Sequence, residues 1–157
     1  MKPGTFTQMY VMLVFAVRNR EALLKKDIRD KTFEYIGGII SNLKQKSLIV
    51  NGTSNHVHIL YGMNPNVSVS DTVFHVKRGS SLFINNEKLC PFHFNWQEGF
   101  GAFTYSRSQI NDVYNYIRNQ EQHHASVSFR KEYTDLLTEA DIIYDDLYLF
   151  EFLDELE

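Results

Sequence analysis

Apolar and polar positions alternate along this chain with two different periods, and the change of period marks its elements. Residues 10–17 (Tyr10, Val11, Met12, Leu13, Val14, Phe15, Ala16, Val17) are apolar at every position, which predicts a central strand covered on both faces rather than a half-exposed edge. Residues 21–45 carry Leu23, Leu24, Ile28, Phe33, Ile36, Ile39, Ile40 and Leu43 near the 3.6-residue period of an amphipathic helix. Gly37-Gly38 within it lowers helix propensity by about 1 kcal/mol each and so predicts close packing or a bend. Residues 47–52 read as a second strand and 56–63 as its antiparallel neighbour, joined either by a two-residue turn at Asn51-Gly52 or by a bend at Thr53-Ser54-Asn55.

Beyond the turn Asn64-Pro65-Asn66, Ser68 or Ser70 followed by Asp71 caps a helix to about residue 85. Residues 87–97 read as a loop containing Phe92, Phe94 and Trp96, and 99–105 as a glycine-rich strand. Ser106 or Ser108 then caps a helix over 109–123, a further helix covers 128–137, and 141–157 is an acidic, aromatic tail that the pattern does not place. Strand, helix, strand, strand, helix, strand is the split β-α-β order of ferredoxin-like folds. The expectation is therefore an α+β domain over 1–157, with an antiparallel sheet, helices on one face and the other face left free.

Length and composition are those of a soluble globular protein of ordinary domain size. The start lacks a charged segment followed by a cleavage site, and no run approaches the ~20 apolar residues of a membrane span, so a cytoplasmic protein is expected. The single cysteine, Cys90, excludes an internal disulfide and a cysteine-based zinc site. Net charge is −3, but eight of the nineteen acidic residues fall within 139–157, where there is no Lys or Arg. The body, 1–138, thus holds 16 basic against 11 acidic side chains, a balance that suits a polyanion.

Candidate chemistry starts at Asn55-His56-Val57-His58. Residues i and i+2 of a strand share a face, so His56 and His58 form a two-imidazole platform suited to a divalent metal. Projecting 109–124 as a helix gathers Ile110, Val113, Tyr114 and Ile117 on an apolar face, with Tyr114 in the core. Tyr116, Gln120 and His124 form an i, i+4, i+8 stripe roughly a quarter turn away, with His123 beside it. The residues alone leave three readings open: phosphodiester chemistry at a metal, a non-catalytic single-strand binder of ferredoxin-like fold, and a zinc hydrolase using His56, His58 and His123 or His124.

His56-Val57-His58 resembles the His-hydrophobic-His signature of HUH nucleases. Tyr116-Ile117-Arg118-Asn119-Gln120 resembles the helix-borne motif of the single-tyrosine transposases of the smallest bacterial insertion sequences, the REP-associated enzymes among their kin. The resemblance continues through Asn19-Arg20, Asn51-Gly52, Lys77-Arg78-Gly79, Trp96-Gln97 and Gln120-x-x-His123-His124, nearly the whole chain to about Leu137. It implies that His56, His58 and Gln120 hold Mg²⁺ or Mn²⁺ and that Tyr116 is the nucleophile. The implied reaction cleaves single-stranded DNA through a 5′-phosphotyrosine, at hairpin ends of a mobile element. It also implies a homodimer with shared active sites, histidines from one subunit and tyrosine from the other, whose continued sheet would cover 10–17. Asn55 departs from the aspartate frequent before the first histidine. Lys77, Arg78, Arg118, Arg130 and Lys131 are candidate phosphate contacts. His75 and His93 are read as structural, and Phe92, Phe94, Trp96 and Phe100 as core before base-stacking platforms.

Overall fold

The uninterrupted apolar run becomes β1 (Tyr10–Ala16), the strand against which the others register. In this computed structural model, which describes residues 2–19 and 23–153, β3 (His56–Gly62) and β4 (Gly101–Tyr105) flank β1, and β2 (Lys46–Gly52) lies beyond β3. All three pairings are antiparallel, and the order β2-β3-β1-β4 is that of a ferredoxin-like α+β sheet.

Directly opposed residues of antiparallel strands share a face, so the register sorts the core into two layers. Val14 opposes His58, Ala16 opposes His56, Asn51 opposes His58 from the other side, and Met12 opposes Phe103. These side chains form one face; Leu13, Phe15, Val57, Ile59 and Tyr61 form the other. Against the second face pack α1 (Lys26–Asn42) and α2 (Val69–Asn86), burying Phe33, Ile36, Ile40, Val73, Val76 and Ile84. Trp96 stands edge-on to Phe15 at 4.8 Å and donates its indole N–H to Ser80 Oγ at 2.8 Å. The buried Phe94 and Trp96 are thus core, as expected, while Phe92 and Phe100 are exposed.

The histidine face is not left free. It is covered by α3 (Ile110–Arg118), α4 (Gln120–His124) and α5 (Phe129–Glu139), backed by the tail. Phe129 stacks flat on His56, 3.9 Å between ring centroids, and Phe152 and Phe150 close over Phe129 and Tyr133. The tail is held by Gln97, whose side chain bonds both the N–H and the C=O of Glu151 at 2.9 and 2.8 Å. The cover that β1 needs on its second face is therefore supplied by its own chain.

Three boundaries differ from the pattern's expectation. The first helix begins at Lys26, not near residue 21, because Leu24 is extended and donates its N–H to Ser54 O at 2.9 Å, pinning the segment to the hairpin. Arg20, Glu21 and Ala22 lie outside the described residues, as do 154–157 of the tail. No bend occurs at Gly37-Gly38: α1 runs through, a Cβ on Gly37 would make only ordinary contact with Ser47 Oγ at 3.5 Å, and the close approach is at Gly79 of α2, where a Cβ would meet Ile39 Cδ1 at 2.7 Å. The helix expected over 109–123 breaks at Asn119, because Asn51 Nδ2 takes up the carbonyls of Ile117 and Arg118 at 3.0 and 3.2 Å. Among the described residues no helix is long and apolar enough to cross a membrane.

The hairpin that presents His56 turns at Thr53-Ser54-Asn55, and Gly52 ends β2 where a Cβ would lie 2.2 Å from His56 O. Gly52→Ala must shift backbone and should lower stability by about 1–3 kcal/mol in urea denaturation. Gly38→Ala, whose added methyl meets nothing within 4 Å, should be neutral or stabilising by up to about 1 kcal/mol.

Candidate active site

Four polar side chains lie beneath α5 almost without solvent: His56, His58 and Gln120 are 0% exposed and Glu132 3%. Buried polar groups persist only when their hydrogen-bonding capacity is met, so the contacts of these four define the site. β3 delivers the two imidazoles, the start of α4 delivers Gln120, and the first turn of α5, capped by Ser128, delivers Glu132.

His56 is fixed from behind. Its Nδ1–H donates to Asn55 Oδ1 at 2.7 Å, and Thr53 Oγ1 donates to the same oxygen at 2.9 Å. The amide oxygen of Asn55 thus does the orienting work for which a carboxylate is the more frequent choice. Nε2 then points into the cluster, 3.0 Å from Gln120 Oε1 and 3.3 Å from Glu132 Oε1. Burial pushes the His56 pKa down to about 4, outweighing the neighbouring Glu132 carboxylate that acts the other way, so the ring is neutral.

Glu132 is the residue that sequence reasoning missed. Its Oε1 lies 3.1 Å from His58 Nε2 and 2.9 Å from His124 Nε2; its Oε2 accepts from Gln120 Nε2 at 2.9 Å and from the Tyr116 hydroxyl, with His123 Nε2 at 3.6 Å. Burial would raise its pKa, but His58 and the hydrogen bonds of His124 and His58 outweigh that and hold it well below the usual carboxylate range. On the sequence it reads as one exposed glutamate among many, and only its place at Ser128 plus four, in the first turn of a capped helix, singles it out.

Tyr116 and Gln120 share the flank that the helical projection gave them, although Asn119 separates their helices. Tyr116 is half-buried, its ring edge-on to His58 at 5.8 Å and to His123 at 5.4 Å. Burial, then the charge of Glu132, raises its pKa well above the ordinary phenol value. Tyr114 is not core: it is 37% exposed, because the buried arc runs from Ile110 through Ile117 toward Gln120 and leaves Tyr114 about 40° beyond its edge. Within the chain the hydroxyl of Tyr116 reaches Glu132, which adjoins both histidines of β3.

What the donor set suits is a cation. With its Nδ1–H given to Asn55, neutral His56 turns the lone pair of Nε2 toward two oxygens that carry no proton either. Imidazole nitrogen, amide oxygen and carboxylate oxygen converging without a hydrogen between them match a divalent ion. His56, His58 and Glu132 present ligand atoms within 4.8 Å of one another, and His123, His124 and Glu132 do the same.

A sequence profile described as "Transposase IS200 like" matches residues 5–120. The chain belongs to the IS200-like transposases. Among curated proteins none matches the chain. A protein of Deinococcus radiodurans R1 described as a transposase shares the fold at TM-score 0.59 and 19% identity, over 76% of this chain and 96% of its own. A REP-associated tyrosine transposase, solved bound to a REP hairpin, shares it at TM-score 0.58 and 14% identity, over 81% and 76%. At such identities the likeness speaks for the fold. The family match ends at Gln120, so α5 and Glu132 lie beyond it.

The basic candidates of this transposase are not alike. Lys77 donates to the carbonyls of Gln97 and Gly99, both at 2.7 Å, and burial lowers its pKa to about 8; it is a strut between α2 and the 97–99 loop. Arg130 lies over the Phe152 ring at 4.6 Å, and Lys131 pairs with Asp135 at 3.0 Å. Arg78 and Arg118 are exposed, as are His75 and His93, which stand outside the cluster.

A group protonated at pH 6.5 when unfolded and only near 4 when folded makes stability pH-dependent between those values. The unfolded chain binds the proton first, so stability from His56 is present above pH 6.5 and is lost as pH falls toward 4. Urea denaturation in chelator should show up to about 3 kcal/mol of loss across that window, and His56→Asn should flatten it.

Proposed function

We propose that this transposase cleaves and rejoins single-stranded DNA by transesterification, with Tyr116 as nucleophile and His56, His58 and Gln120 holding Mg²⁺ or Mn²⁺. The observation that carries the reading is that one buried carboxylate, Glu132, bonds the Tyr116 hydroxyl with one oxygen and adjoins both imidazoles with the other. Nucleophile and metal ligands are thereby set side by side.

A phenol is a weak nucleophile at neutral pH, and here burial and a neighbouring negative charge make it weaker. Its proton must therefore leave as the attack proceeds. Tyr116 Oη forms a bond to the scissile phosphorus while the bond from phosphorus to the 3′ oxygen breaks. The phenolic proton passes to Glu132 Oε2, and the released 3′ oxygen takes one from solvent. The products are a 5′-phosphotyrosine and a free 3′-OH, and attack by a 3′-OH on the phosphotyrosine reverses the step. When bound, the metal supplies Lewis acidity and orientation at the phosphate. Gln120 holds its amide oxygen toward His56 because its NH₂ is tied to Glu132. Since the donors lie beneath α5, the phosphate reaches them only when that cover shifts.

A transposase of this fold was solved on a REP hairpin, which supports folded single-stranded DNA, such as the hairpin ends of a mobile element, as the partner class. Arg78, Arg118, Arg130 and Lys131 are the exposed candidates for phosphate contact. Within the chain Tyr116 already stands against His58 and Glu132, so the reading takes tyrosine and histidines from one chain.

Incubation with Mn²⁺ and an oligonucleotide carrying a hairpin from the DNA flanking the gene should give a covalent adduct on a denaturing gel, located at Tyr116 by peptide mass spectrometry. Tyr116→Phe should erase it with fold and binding intact, and Tyr114→Phe should keep it. An adduct that persists in Tyr116→Phe contradicts the assignment. Binding should weaken with salt by about 0.7 log units per log salt for each phosphate contact, and Arg78→Ala and Arg118→Ala should each reduce that slope. Lys77→Met should instead cost about 1–3 kcal/mol of stability and leave the slope unchanged.

A further inference from the structure

We propose that Glu132 is itself a ligand to the divalent ion, so that the metal is held by His56, His58, Gln120 and a carboxylate contributed from beyond the family match. The inference rests on the reading of the site given above and extends it to a residue twelve positions past the last one matched.

Burial is the first argument. Carboxylates are almost never fully buried unless paired, and among the described residues no Lys or Arg lies within 4.0 Å of Glu132. What surrounds it are imidazoles, a phenol and a carboxamide, a shell that fits a carboxylate serving a cation. The second argument is the hydrogen inventory. With the His56 Nδ1–H committed to Asn55, His56 Nε2 has only a lone pair to offer, and it faces Gln120 Oε1 and Glu132 Oε1. Gln120 cannot turn its NH₂ toward His56 without giving up Glu132 Oε2, to which it donates at 2.9 Å. Three lone-pair atoms are thus aimed at one another, which is repulsive unless a cation lies between them.

Spacing is the third argument. Separations of 3.0 Å (His56 to Gln120), 3.1 Å (His58 to Glu132) and 3.3 Å (His56 to Glu132) are those of neighbouring corners around an octahedral ion. Such corners stand about 3 Å apart for metal–ligand bonds of about 2.1–2.3 Å. A carboxylate also changes the charge of the site: two imidazoles and an amide leave the ion at +2, whereas Glu132 brings the total to +1 and tightens binding. Its second oxygen stays on Tyr116, so the same side chain fixes the ion and the nucleophile.

The test is Mn²⁺ binding to the full-length protein after chelator treatment, read by electron paramagnetic resonance and calorimetry without DNA. Glu132→Gln keeps size and one acceptor but removes the charge; it should weaken Mn²⁺ binding at least tenfold. Glu132→Asp, which keeps the charge on a shorter arm, should fall between, and it serves as the deciding variant if the glutamine form does not fold. His124→Ala should change the affinity less than threefold. Binding within threefold of wild type in Glu132→Gln, or in Glu132→Asp if that is the deciding variant, overturns the proposal, and a rise in cleavage alongside it would mark the carboxylate as an occupant of the phosphate's place. His56→Ala and His58→Ala separate the two layers of inference. Loss of Mn²⁺ in those variants but not in Glu132→Gln removes only the role of Glu132, whereas unchanged Mn²⁺ binding in all of them removes the metal site itself.

Discussion

The burial of one carboxylate constrains everything on the histidine side of this sheet. An ionised glutamate with 3% exposure is tolerated only because five polar groups converge on it, and these come from β3, α3 and α4. Each of those elements is therefore held in place by the need to satisfy Glu132. Removing it would leave inward-facing imidazoles and an amide without their common partner, a larger penalty than the loss of any single hydrogen bond.

The register of β1 with β3 decides which face receives the chemistry. A slip of one residue would turn His56 and His58 toward α1 and α2 and bring Val57 and Ile59 to the site. Asn51, opposite His58 on β2, ends α3 by binding its last carbonyls, and that break lets Gln120 begin α4 facing His56. From behind, Phe129 stacked on His56 and the aromatic residues of the tail hold α5 down, so the acidic C-terminal segment contributes packing through Phe150 and Phe152.

Where a signal was local, the sequence carried it. The full apolar run of β1, the paired histidines of β3 and the stripe of Tyr116 and Gln120 need only strand and helix periods to be seen, and the order of elements then gives the sheet. Three features needed the third dimension. Leu23 and Leu24 fit the helical period but are drawn out by the hairpin, a tertiary contact that overrides propensity. Asn51-Gly52 looks like a turn, yet its asparagine caps a helix 66 residues away. Glu132 sits in a stretch whose charges face solvent, and nothing in its neighbours tells that it points inward; the cover over the histidine face and the closure of the site within one chain followed from it and stayed out of view with it.

That closure is open to a direct measurement. The transposase with Tyr116→Phe and the transposase with His56→Ala are each expected to be silent, and cleavage of a hairpin-bearing single strand is assayed in Mn²⁺ after the two are mixed. If each chain presents its own tyrosine to its own histidines, no mixed pair contains a complete site and no cleavage appears. Cleavage that returns on mixing would mean that a tyrosine from one chain serves the histidines of another, and would contradict the account.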